Sequence, residues 1–475
     1  MALLFLAIFM ALDIALAVKL LSREKSREDA GEPPENGDAS ADEEAEGTQG
    51  GGSISADGEA GDKTGGGSTS ADKEAGDKPD GGSATADKEA GDEPGSGSTT
   101  AGEAPGDAPD GTAAPSGPQN SREERAERLL AEMTLEQKAA QLFMITPEAL
   151  TGYSRVTAAG EVTRSCLEQY PVGGIIYMAG NLIDPEQTRR MLANMSEYGR
   201  ELLGFPIFLA VDEEGGTVAR VARNEAFGVE NVGNMSEIGA SGDRAGAYRA
   251  GRTIGRYLAE LGFNLDFAPV ADVWSNEKNT IVKYRSFGSD AQLVRDMVRE
   301  EIKGLEESGI LSAVKHFPGH GSTAEDSHRG AAVINRTLQE LSECDLIPFQ
   351  GAIEAGVPLV MVGHLSLPQV IGSDVPAVLS REIIGDILRE QLQFNGIVIT
   401  DALDMGAVTD YYTSAEAAVL AVEAGADMLL MPENFQEAFQ GILDAVKNGR
   451  LAEQRIDESV LRILTVKLRL EQEGT

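Results

Sequence analysis

The chain has 475 residues, 41% of them hydrophobic, enough for one large core or for roughly two or three average domains. Its formal net charge is −38, which excludes the basic footprint that nucleic-acid binding requires. Two cysteines, Cys166 and Cys344, cannot build a disulfide framework.

Three segments follow one another along the chain. Residues 2–18, ALLFLAIFMALDIALAV, are almost wholly apolar, with Asp13 the only charge, and Lys19, Arg23, Lys25 and Arg27 come after them. Residues 1–22 are therefore expected to be a membrane anchor or a signal segment. The absence of an AxA-type cleavage site just downstream favours the uncleaved anchor. Residues 23–120 are rich in Gly, Ser, Ala, Asp and Glu. The first 120 residues together hold 25 Asp and Glu against 8 Lys and Arg. Ser53, Ser68, Ser83 and Ser98 recur every 15 residues, with Asp57, Asp72 and Asp87 in the same phase. The repeat has no hydrophobic face, so it cannot offset its own ordering entropy and reads as a disordered acidic tether rather than a solenoid.

Residues 121–475 carry the globular body. Apolar spacing over 121–141 is helical. Beyond it, eight short apolar runs alternate with longer amphipathic stretches such as 185–203 and 290–308. The runs are QLFMI (141–145), GGIIYM (173–178), IFLAVD (207–212), FNLDFAPV (263–270), LSAVKHF (311–317), PLVMVGH (358–364), GIVITD (396–401) and ADMLLMP (426–432). Near-continuous rather than alternating apolar strands indicate parallel strands buried on both faces. Eight βα units predict an α/β fold with a single (β/α)8 TIM-type barrel. The competing doubly wound sheet would call for a Gly-rich phosphate turn after its first strand, and none is present.

A barrel of this kind places its active site at the C-terminal strand ends. Asp212 ends the third run, Lys315 and His316 the fifth, His364 the sixth and Asp401 the seventh. All four histidines of the chain lie between His316 and His364. The four-residue spacing of His316 and His320 suits a metal site only on a helix, and Pro318, Gly319 and Gly321 argue against one there, so no metal is expected. The same stretch reads better as a loop that presents polar groups to a ligand. Asp326 and His328 lie on it, close enough for a carboxylate to orient an imidazole, although such a pair is usually structural when taken alone. Asp401 and Asp404 each read equally as helix caps or as catalytic carboxylates.

Taken together and in this order, VDEEGG (211–216), YRSFG (284–288), KHFPGHG (315–321) with DSH (326–328), and TDALDM (400–405) resemble glycoside hydrolase family 3, in its bacterial β-N-acetylglucosaminidase branch. The resemblance covers residues 124–470. It implies Asp401 as nucleophile, His328 as general acid/base paired with Asp326, and substrate contacts at Asp212, Arg220, Arg285, Lys315 and His316. Thr217 stands where the branch usually has Arg, while Arg220 keeps its place. Fewer residues follow 470 than the second domain of larger members needs, so the site is expected to be completed within the barrel. The implied activity is retaining, exo-acting removal of β-linked N-acetylglucosamine from cell-wall fragments or chitin-type oligosaccharides, with no cofactor. The protein is expected to be a monomer at the cell surface or secreted, its N-terminal segment contacting the membrane. Three alternatives stay open: another family 3 β-glycosidase, a phosphorylase, and a surface carbohydrate-binding protein with a dead site.

Overall fold

The computed structural model describes residues 118–324 and 332–471. The apolar N-terminal segment, the acidic repeat, Asp326 and His328 lie outside the described residues. Helical spacing over 121–141 resolves into two helices, Pro118–Glu132 and Leu135–Gln141. The break comes from Thr134, whose hydroxyl accepts from the Gln137 amide N–H at 3.3 Å while the Gln137 side chain accepts from Thr134 N–H at 2.9 Å. A reciprocal cap of this kind starts a new helix.

Each of the eight apolar runs contains one strand: β1 Phe143–Ile145, β2 Gly174–Ile176, β3 Phe208–Val211, β4 Leu265–Asp266, β5 Leu311–Phe317, β6 Leu359–Val362, β7 Ile397–Thr400 and β8 Leu429–Leu430. They form one parallel sheet in the order β7-β6-β5-β4-β3-β2-β1-β8. The ring is nearly closed: a parallel bridge joins Ile399 of β7 to Met428 just before β8, and Asp427 N–H donates to Val398 O at 2.7 Å. Helices return from each strand end to the next strand. Pro185–Leu203 is typical, with Asp184 capping its start, proline in its first turn and Gly204 in the left-handed conformation at its end.

Strand side chains alternate between two cores. Met144, Ile176, Phe208, Ala210, Leu265, Ala313, Leu359, Met361, Ile397, Ile399 and Leu430 fill the barrel. Phe143, Ile145, Ile175, Leu209, Val211, Val314, Val360, Val362, Val398 and Leu429 pack outward against the helices. Both faces are buried, which is why the runs read as continuous rather than alternating.

The C-terminal helix Glu453–Lys467 closes the floor. Ile463 and Val466 join the inner core, and fully buried Lys467 donates to Gln141 Oε1 at 2.7 Å beside the rings of Phe205 and Phe208. Burial, with no charged partner among the described residues, drives the Lys467 amine far below its usual pKa of 10.5. A base depressed in the folded state leaves the unfolded chain binding more protons, so its burden on stability eases as pH rises toward 10.5. Lys467→Met is expected to be more stable than wild type at pH 7, with an advantage that shrinks by pH 10. Urea denaturation at both pH values checks this, and an advantage independent of pH would contradict it.

Candidate active site

The described site residues expected from the sequence lie at the C-terminal strand ends, at the end of the barrel opposite the C-terminal helix. A cavity of about 350 Å³ lies there, lined by Asp212, Glu214, Arg220, Arg285, Lys315, His316, His320, Asp401 and Asp404 over an apolar base that includes Ile176, Met361 and Leu430. Six residues picked out in the sequence thus meet in one place: Asp212, Arg220, Arg285, Lys315, His316 and Asp401. A larger cleft of about 670 Å³ opens at the opposite ends of the strands, among Asn264, Leu311 and Arg469, away from these groups.

Three consecutive acids after β3 have three different tasks. Asp212 accepts from Lys315 Nζ at 2.7 Å, and Arg220 Nη2 lies 3.7 Å from its second oxygen. Glu213 turns the other way: its carboxylate accepts from the Val221 and Ala222 amides and from Tyr257 Oη, each at 2.8 Å, and so pins the loop that carries Arg220. Glu214 is buried between two cations. Arg285 grips it with two hydrogen bonds of 2.7 Å, and Lys315 Nζ lies 2.6 Å from Oε1. Burial opposes the charge on Glu214, but the Arg285 and Lys315 charges outweigh it and hold the carboxyl far below the usual range.

The β5 end sets the imidazole. His316 Nδ1 lies 2.8 Å from Asp272 Oδ2, and Nε2 lies 3.2 Å from Arg285 Nη2. The His316 ring is thus held between the Asp272 carboxylate at Nδ1 and the Arg285 guanidinium at Nε2. Asp272 Oδ1 also accepts the amides of His316 at 3.3 Å and His320 at 2.6 Å, which fixes the start of the KHFPGHG loop. Gly321 is required in that loop because a Cβ there would lie 1.9 Å from Val273 O. The His316 and His320 rings are edge-to-face at 6.0 Å, and His320 Nδ1 lies 2.9 Å from Thr323 Oγ1. Both imidazoles are thus engaged with protein groups, and among the described residues no cluster of His, Cys, Asp and Glu is arranged to hold a metal.

Half-buried Asp401 follows β7 directly. Its amide donates to Val362 O at 2.8 Å, and its Oδ1 accepts from Ala402 N–H at 2.8 Å. His364, at the end of β6, lies 2.7 Å from Ala402 O through Nε2 and braces the same turn. Burial alone would raise the Asp401 pKa, but His364, His316, the Ala402 N–H and Lys315 together lower it, so the carboxylate is ionised at neutral pH. Asp404 also lines the cavity but is exposed.

Sequence reasoning missed Glu214 and Asp272. The available signals were an unbroken Asp-Glu-Glu run after an apolar strand, and a lone Asp inside the otherwise apolar APVADV, 268–273.

The chain matches the model of the glycosyl hydrolase family 3 N terminal domain over residues 134–466. It belongs to glycosyl hydrolase family 3. It is 33% identical over 332 residues to Beta-hexosaminidase A of Pseudoalteromonas piscicida, covering 64% of this chain and 55% of that protein. Beta-hexosaminidase LpqI of Mycobacterium tuberculosis is 33% identical over 322 residues, covering 64% of this chain and 78% of that protein. Among solved structures, a glycoside hydrolase family 3 β-N-acetylglucosaminidase from Paenibacillus sp. str. FPU-7 superposes with a TM-score of 0.67 at 38% identity, over 72% of this chain and 64% of the other. The chain thus spans little more than half the length of the first of these family 3 relatives. Among the described residues, no helix is long and apolar enough to cross a membrane.

Proposed function

We propose that this family 3 protein is a retaining exo-β-N-acetylglucosaminidase acting outside the cytoplasm, with residues 1–120 as its membrane tether. The carrying observation is Asp401, an ionised carboxylate at a strand end in a cavity whose neighbouring cations are already paired with Asp212 and Glu214. Such a carboxylate is free to attack an anomeric carbon. The names of the hexosaminidase relatives and of the Paenibacillus structure support the sugar assignment. In the first step the Asp401 oxygen bonds to the anomeric carbon while His328 protonates the departing glycosidic oxygen. In the second, His328 takes a proton from water, which displaces Asp401. Asp326 orients the His328 ring.

The test compares aryl β-N-acetylglucosaminide with aryl β-glucoside, each with and without inorganic phosphate. Preferential hydrolysis of the first, indifferent to phosphate, is expected. Preference for the glucoside, or product appearing as sugar phosphate, would overturn the reading. In the same assay His328→Ala should slow a natural disaccharide by about 10²-fold or more. It should slow the nitrophenyl glycoside far less, with a burst as the glycosyl-enzyme accumulates. An equal loss on both substrates without a burst would remove His328 as the acid/base.

A further inference from the structure

The described residues include six exposed large apolar side chains: Tyr153, Val162, Ile183, Tyr284, Leu338 and Tyr411. Tyr153, Ile183, Tyr284 and Tyr411 lie in segments that follow a strand's C-terminal end, and Val162 and Leu338 in the first turn of a helix. Tyr284 stands closest to the chemistry. Its neighbours Ile281 and Arg285 line the cavity, and the turn Val282–Arg285, closed by Arg285 N–H to Val282 O at 3.0 Å, puts Lys283 and Tyr284 at its corner. Tyr284 is 48% exposed. Lys283 Nζ lies 5.5 Å from the Tyr284 ring centroid and 5.9 Å from that of Trp274, the only tryptophan in the chain.

The Trp274 ring and the turn that carries Lys283 and Tyr284 are tied down by hydrogen bonds. Trp274 Nε1 donates to Asn279 O at 2.8 Å, and Asn279 Oδ1 accepts the amides of Ile281 at 2.9 Å and Val282 at 3.1 Å. Behind the turn, Phe287 is buried against helix Met235–Ser241, where a Cβ on Gly239 would fall 1.7 Å from Phe287 O. An aromatic side chain on a pinned turn binds without the cost of ordering its backbone. The cavity takes the terminal sugar, so the sugar that leaves has to lie at the mouth. A pyranose presents a C–H face suited to an aromatic ring and hydroxyls suited to an ammonium donor.

We propose that Trp274, Lys283 and Tyr284 form the subsite for the sugar on the leaving-group side, with Tyr284 as its stacking platform. The proposal rests on the N-acetylglucosaminidase reading. It is tested by kcat/KM on N,N′-diacetylchitobiose and on 2-acetamido-2-deoxy-β-glucosyl fluoride, which share the terminal sugar but differ in whether the leaving group carries a ring. Tyr284→Ala is expected to lose about tenfold on the disaccharide, mainly through KM, and to stay within about twofold of wild type on the fluoride. Tyr284→Phe should behave as wild type on both. The fluoride reaction also reports that the variant is folded. An unchanged ratio of the two rates in Tyr284→Ala would overturn the subsite alone. Failure of the wild type on both substrates would overturn the reaction reading and the subsite with it.

Discussion

Asp401→Ala is expected to lower kcat by about 10⁴-fold or more while the barrel stays folded, since in the proposed mechanism Asp401 is the covalent nucleophile and its loss eliminates the reaction path rather than one contact within it. The fold should tolerate the change. The Asp401 side chain accepts a hydrogen bond from Ala402 N–H, while the turn itself is held by main-chain bonds from Asp401 N–H to Val362 O and from Leu403 N–H to Leu430 O. Asp404→Ala is the control, because Asp404 lines the same cavity but is exposed. Its kcat should fall less than about tenfold. Steady-state rates with circular dichroism of each variant check both statements. Comparable losses at the two positions in folded proteins would remove the assignment.

Glu214→Ala is expected to have the largest effect on stability. Glu214 is 2% exposed and is the shared partner of Arg285 and Lys315. Among the described residues, deleting it leaves Lys315 with Asp212 and leaves Arg285 without a carboxylate in hydrogen-bonding contact. Breaking a buried pair by removing one partner costs about 3–5 kcal/mol, because the orphaned charge stays buried. Activity should fall as well, since the same two cations line the cavity proposed to take the sugar. Glu214→Gln keeps the shape and is expected to cost less, and it isolates the charge. The folded-state pKa of Glu214 is depressed below 4.5, so its contribution is fully present above that value and is lost as pH falls further. Wild type should therefore lose stability below about pH 4.5 more steeply than Glu214→Gln. Parallel curves for the two proteins in urea denaturation from pH 6 to pH 3 would show that the pairing contributes nothing.

The barrel was legible in the sequence because its strands are buried on both faces and its chemistry sits where strands end. Even β4 and β8, two residues each, announced themselves through the longer apolar runs around them. What stayed hidden is what depends on partners distant in the chain. Glu214 meets Arg285 71 residues away, and Asp272 meets His316 44 residues away. No spacing rule links such pairs, so VDEEGG looked like one substrate contact rather than a ligand to two cations. The split of 121–141 into two helices was missed for the opposite reason: the apolar spacing ran through a local Thr134–Gln137 cap that stops it.

The central claim is that Asp401 carries the sugar between the two steps. A mechanism-based 5-fluoro N-acetylglucosaminyl fluoride, quenched on the enzyme and followed by peptide mass mapping, tests it most directly. The account predicts one added sugar, on the peptide holding Asp401 and on that side chain. A label on Asp404 or another residue, or turnover of the probe with no covalent adduct under conditions that slow deglycosylation, would contradict it.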